Sequence, residues 1–247
     1  MTGGTTAVTW LPYCGAAPVP DEWLARWNGD PLLLAAFAAA GAWWWWRLPP
    51  RDSRLPLGIA AILLAILFVS PFCALTSALF AARTAHHALL IVVVAPLLVL
   101  AMPLAPLPRA AIGGWTALHA VVLWAWHFPP LYAAALSHDG IYWLMQASLL
   151  GSAVLFWGSV RGAPITLAVG ALLATMVQMG LLGALLTFTG KPLYAPHWLT
   201  TSAWGLTPLE DQQLGGLIMW APAGAVYLAA ALLLAGRWLR NERRASA

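Results

Sequence analysis

The sequence predicts an all-α protein, a polytopic membrane bundle of seven transmembrane helices with its N-terminus outside and its C-terminus in the cytoplasm. Three observations predict it. The chain has 247 residues, of which 62% are hydrophobic and only 8% charged; a soluble protein carries about 25% charged residues. Long apolar runs recur, the last opening after Glu210, Asp211, Gln212 and Gln213 and ending at Arg237 and Arg240. Such runs suit a hydrocarbon core of about 30 Å. The cations are also unevenly spread among the intervening loops. Twelve Lys and Arg against eight Asp and Glu give a net charge of +4, read here by its position around the membrane and not as a sign of nucleic-acid binding.

Residues 1–30 form a polar, proline-containing outward segment. No basic region followed by an apolar core opens the chain, so no cleaved leader is expected. Asp30 and Pro31 read as cap and first helical residue. The first span covers residues 31–47 and ends in Trp43 to Trp46 and Arg47, an interfacial pattern. A second covers 56–79, with Pro71 kinking it or ending it early. A third covers 84–104, opening with Arg83, His86 and His87 and closing near Pro103, Pro106 and Pro108. The fourth, 112–128, carries His119 and His127 and is stopped by Pro129-Pro130. The fifth covers 140–160 and the sixth 164–188, with Met176, Gln178 and Met179. A loop over 189–211 holds Lys191 and His197. The seventh span then runs to residue 240, so 31–240 form one membrane domain and 241–247 a cytoplasmic tail.

With the N-terminus outside, the inner face receives Arg47, Arg51, Arg54, Arg109, Arg161, Arg237, Arg240, Arg243 and Arg244. The outer side receives Arg26, Arg83 and Lys191. That asymmetry sets the orientation. It also sorts the potential metal ligands. His86, His87, His127, His138, His197 and Asp211 fall at or beyond the outer helix ends; only His119 is deep. Met145, Met179 and Met219 fall in the outer halves of their spans.

Imidazole suits copper, zinc, iron and nickel, and thioether adds a preference for Cu(I). The outer cluster therefore reads first as a copper site, with His87, His127 and Asp211 as leading ligands and Met179, Met219 and His86 beside them. Gln212, Gln213, Arg83 and Tyr132 are placed to orient them. His86 and His87 lie about 100° apart on a helix and so do not share a face, whereas Met176 and Met179 do. Competing readings are plain: histidines solvated at an interface, methionines as packing, Asp211 as a helix cap, Gly215 and Gly216 as close-packing positions, and a metal-free charge network of Arg83 with Asp211. Cys14 and Cys73 both fall on the oxidising side, and their pairing is left open.

The segment Leu206-Thr207-Pro208-Leu209-Glu210-Asp211-Gln212-Gln213-Leu214-Gly215-Gly216-Leu217-Ile218-Met219-Trp220 closely resembles the signature of the CtaG family, seven-span membrane factors for cytochrome c oxidase assembly. Trp126-His127 with Pro130-Leu131-Tyr132 is similar to a second family stretch. So are Gly183 to Phe188 with Pro192-Leu193-Tyr194, and His86-His87 with Ala95-Pro96-Leu97-Leu98. The resemblance covers residues 80–240. The chain departs from it where many members carry a histidine four residues before His87 and a glutamine just before it; Arg83 and His86 stand there. Gln146 stands where the family has a histidine in the fifth span.

The resemblance implies a non-enzymatic protein of the bacterial plasma membrane that helps mature a haem–copper oxidase by handling copper. Its expected partners are an oxidase subunit and membrane lipid, with no nucleic acid. Two other readings fit the residues: a haem-binding membrane protein with His87 and His127 as axial ligands, and a metal transporter with proline-interrupted spans.

Overall fold

The computed structural model describes residues 10–47, 50–101 and 111–245. All regular structure among them is helical. The predicted end of the third span, at Pro103, Pro106, Pro108 and Arg109, lies outside the described residues.

Helix α1 (Pro31–Arg47) starts as the sequence dictates. Asp30 Oδ1 accepts from the backbone N–H groups of Leu32 at 2.8 Å and Leu33 at 3.3 Å, satisfying donors that a first turn leaves free. Helix α2 (Arg51–Phe68) and α3 (Pro71–Ala78) form a bent pair, turned by 49° at the residues before Pro71. Proline there cannot donate to the turn before it, and Ser70 caps the new helix by accepting from Phe72 N–H. The N-terminal segment sits across this bend. Asn28 N–H reaches Val69 O at 2.9 Å, and Cys14 is disulfide-bonded to Cys73 on α3. The two cysteines therefore pair.

Leu79 is extended, and α4 (Phe80–Leu89) begins at once, a turn earlier than the sequence predicts. A π-helical turn, Leu90–Val94, joins it to α5 (Ala95–Ala101). Pro96 supplies the reason: its ring would clash with the carbonyl one turn back, and a widened turn relieves this. Helix α6 (Ile112–His127) stops at extended Phe128 before Pro129, which opens α7 (Pro129–Ala135). Helices α8 (Asp139–Gly162) and α9 (Ile165–Phe188) follow. After a loop, α10 (Pro208–Ile218) starts with a reciprocal capping box between Thr207 and Glu210. A second π-helical turn, Met219–Ala223, surrounds Pro222 and leads into α11 (Gly224–Ala245).

Among the described residues, length and composition qualify four stretches as membrane crossings: Phe80–Ala101, Asp139–Gly162, Ile165–Phe188 and Pro208–Ala245. The α2–α3 pair makes a fifth if it counts as one bent span. The sequence predicts seven. The difference lies in α1 and α6, of 17 and 16 residues, each about 25 Å long at 1.5 Å per residue and so a little short of the hydrocarbon core.

The bundle centres on α8, whose Tyr142, Met145, Leu149, Ala153 and Phe156 are all fully buried. Their i, i+3, i+4 spacing marks one inward stripe. Helix α10 is held by glycine contacts on two sides. A Cβ on Gly216 would lie 2.6 Å from Gly183 O of α9, and one on Gly215 would lie 2.6 Å from the Phe80 ring of α4. Small residues let helix backbones approach within membranes. Gly216→Ala is expected to lose about 1–3 kcal/mol, as overpacking against backbone does. A thermal midpoint in detergent unchanged from wild type would contradict this contact.

Candidate functional site

The site begins with a carboxylate at the wrong helix. Asp211 stands in the first turn of α10, yet its oxygens accept from the backbone N–H groups of Phe80 at 2.7 Å and Ala81 at 3.0 Å. Those are first-turn donors of α4, whose own cap position, Leu79, offers no side-chain acceptor. A negative charge here also faces the positive end of the α4 dipole. Asp211 is fully buried, so this bond pins two helix starts side by side and makes α4 and α10 run parallel from a common level. Counting along both helices then fixes what meets. His87 lies six residues beyond Ala81, and Met219 eight beyond Asp211, depths of about 9 and 12 Å. From the antiparallel α9, Gly183 meets Gly216, which brings Met179, one turn deeper, to the same level.

At that level lies a small cavity of about 10 Å³ lined by Thr84, His87, Ala88, Ile91, Leu123, His127, Met179 and Met219. It is room for one guest of about atomic size. The two imidazole rings are edge-to-face with centres 6.0 Å apart. Metal–nitrogen bonds of about 2 Å place two ring centres up to roughly 6.5 Å apart, so this separation lies within the span of one ion for nitrogens turned toward it. His127 Nδ1 lies 2.7 Å from Leu123 O. A carbonyl only accepts, so Nδ1 carries the proton and Nε2 keeps a lone pair. This is the arrangement that orients ligating histidines. Gln146 Nε2 lies 3.5 Å from His87 Nε2.

Four of the residues singled out from sequence thus come together: His87, His127, Met179 and Met219. Asp211 does not join them, because both its oxygens are engaged with α4. His86 points elsewhere, packing against Phe68 and Phe72 with ring centres 4.9 and 6.3 Å away. Met176 parts from Met179 and lines an outward groove with Gly180 and Trp220. Among the described residues no three His, Cys, Asp or Glu side chains group as a metal site would; half of this cavity's candidate donors are thioethers. Arg83 does not pair with Asp211. It is 1% exposed, donates to Thr76 O at 3.1 Å and stands over the Tyr142 ring at 5.4 Å, while Nε and Nη1 meet no acceptor at hydrogen-bond geometry among the described residues. His119 is a satisfied core residue, 3.0 Å from Ser152 Oγ and stacked on Phe156. His138 is exposed at the start of α8.

A layer of polar and aromatic side chains covers the cavity, and sequence reasoning saw only part of it. Tyr132 donates to His197 Nε2 at 2.6 Å, since His197 Nδ1 donates to Ala78 O at 3.2 Å. Phe80 stacks on Tyr194 with centres 4.0 Å apart, and the Tyr194 hydroxyl bonds His127 O at 2.8 Å. Gln212 ties this loop down: its Oε1 accepts from Leu193 N–H at 2.6 Å, and its Nε2 donates to Leu186 O at 3.2 Å and Lys191 O at 3.3 Å. Gln213 contributes its backbone carbonyl to Thr187 at 3.5 Å. The signal for His197 and Tyr194 was a histidine and tyrosine in a proline-rich loop; nothing in spacing gave their partners.

These features define a polytopic helical membrane protein with a small histidine–methionine cavity under a structured loop. The family model described as cytochrome c oxidase caa3 assembly factor (Caa3_CtaG) matches residues 39–241, and the chain belongs to that family. No curated protein and no solved structure matches it.

Asp211→Ala leaves two buried N–H groups without an acceptor and is expected to cost about 2–4 kcal/mol. Asp211→Asn, with one carbonyl acceptor left, should fall between; equal midpoints for all three proteins would contradict the clamp. Burial, with the Arg83 charge adding, pushes the His197 imidazole from 6.5 down to about 3. The unfolded chain takes up this proton as pH falls through 6.5 while the folded one does not, so stability is full above 6.5 and declines toward 3. The slope is about 1.4 kcal/mol per pH unit. A His197→Gln protein should show a shallower acid loss of its melting midpoint; an identical slope would contradict the assignment.

Proposed function

We propose that this protein binds one Cu(I) ion between His87, His127, Met179 and Met219 and presents it to a subunit of a haem–copper oxidase during assembly. The observation that carries this reading is the convergence of two imidazoles and two thioethers, each 5% exposed or less, on one atom-sized cavity. Thioether and imidazole together favour Cu(I) among biological metals. Arg83 adds a reason: a buried guanidinium one turn before His87, with no carboxylate partner among the described residues, opposes a divalent ion about twice as strongly as a monovalent one. Asp211, which would supply a hard negative ligand, is spent on α4. Family membership supports the oxidase client, for the family is one of cytochrome c oxidase assembly factors.

The protein is a seven-span protein of the bacterial plasma membrane in this reading, with α1 and α6 as short or locally thinned crossings. The ligand end faces outward. The Cys14–Cys73 disulfide supports that side, since such bonds persist in oxidising compartments. The haem reading loses support, because a cavity of this size admits no macrocycle.

Competition with a chromophoric Cu(I) chelator tests the site. One equivalent should bind, and His87→Ala or His127→Ala should weaken it at least about tenfold. The Met179→Leu/Met219→Leu pair should weaken Cu(I) while retaining the fold. Unchanged stoichiometry and affinity in all three variants would reject the site.

A further inference from the structure

At the opposite end of the bundle, where α5 and α8 end, α9 begins and α11 approaches its C-terminus, a second cavity opens. Its volume is about 610 Å³, within the range of ligand pockets. Its walls are apolar: Val99, Trp157, Leu172, Ala230, Leu233 and Leu234 among them. Two cations line it, Arg161 from α8 and Arg237 from α11. Neither has a carboxylate partner among the described residues. Among the described residues Arg161 donates once, from Nη1 to Val99 O at 2.7 Å, and Arg237 makes no hydrogen bond, so most donors of both guanidiniums are unspent among them.

We propose that this cavity binds one anionic phospholipid from the adjoining leaflet. Its phosphate lies between Arg161 and Arg237, and an acyl chain lies along Trp157, Leu172, Leu233 and Leu234. The chemistry selects this occupant. A guanidinium recognises phosphate through paired N–H donors, and the apolar wall offers nothing to a free ion. A lipid satisfies both halves at once, and basic pockets between spans are suited to anionic headgroups. Cations that only anchor helix ends at an interface need no cavity beside them, and their general attraction to anionic headgroups would survive filling of the apolar wall. The Arg161 bond to Val99 O also joins α5 to α8, so an occupied site would brace the end of the bundle far from the histidine cavity.

The full chain in detergent, mixed with phosphatidylglycerol and phosphatidylcholine of equal acyl chains, supplies the test by native mass spectrometry. One phosphatidylglycerol should be retained per protein, preferred about tenfold or more. Arg161→Gln/Arg237→Gln should bring the preference to near parity, and the double lysine variant should keep most of it. Ala230→Phe, which fills the wall and spares both arginines, should reduce retention of either lipid. Glycerol 3-phosphate in excess should not displace the lipid. Displacement by it would show a phosphate site without an acyl groove and overturn the proposal, as would equal lipid preference in the wild-type and double glutamine proteins, or undiminished binding in Ala230→Phe.

Discussion

One carboxylate sets the arrangement on which the rest depends. Asp211 caps α4 from α10, across 130 residues of sequence, and in doing so fixes the relative height of two parallel helices. Burial inside the protein gives this bond its weight. Backbone N–H groups at a buried helix start have no water to turn to, and a buried carboxylate has few other ways to be satisfied. Each solves the other's problem. The consequence two turns deeper is that His87 and Met219 arrive at one level.

The remaining contacts refine that register. Gly183 and Gly216 bring α9 close enough for Met179 to enter the same cavity. Gln212, next to Asp211, holds the loop after α9 through three backbone groups. That loop closes over the site through Tyr194 and His197. The segment from Glu210 to Met219 therefore does several jobs in one short run: Glu210 caps its own helix, Asp211 caps another, Gln212 fixes the loop, the two glycines admit neighbours, and Met219 lines the cavity. The π-helical turn at Met219–Ala223, forced by Pro222, turns Met219 inward while Trp220 faces the outer groove.

Much of this was legible in the sequence because its causes are local. The Asp30 cap, the bend at Pro71 and the stop before Pro129 each follow from residues within a turn of the event. The choice of His87, His127, Met179 and Met219 also came from position along predicted spans. What was not legible is what depends on a distant partner. Asp211 read as a ligand or as a cap of its own helix, since no spacing rule reveals a cap supplied in trans. Arg83 looked like an outer flank of the third span, yet α4 begins at Phe80 and buries it. Met176 and Met179 share a face by periodicity, yet Met176 lies beside Gly224 in the outer groove while Met179 lines the buried cavity. Cys14 and Cys73 pair only because the N-terminal segment folds back over the α2–α3 bend, a contact between residues 59 apart.

The central claim is that the parallel register of α4 and α10 brings nitrogen and sulfur donors to a single ion. X-ray absorption at the copper edge of protein loaded with one equivalent of Cu(I) reads this most directly. The account predicts a mixed shell of imidazole nitrogen and thioether sulfur, with the sulfur contribution lost in the Met179→Leu/Met219→Leu protein. A shell of nitrogen and oxygen alone, or one unaltered by removing both methionines, would contradict it.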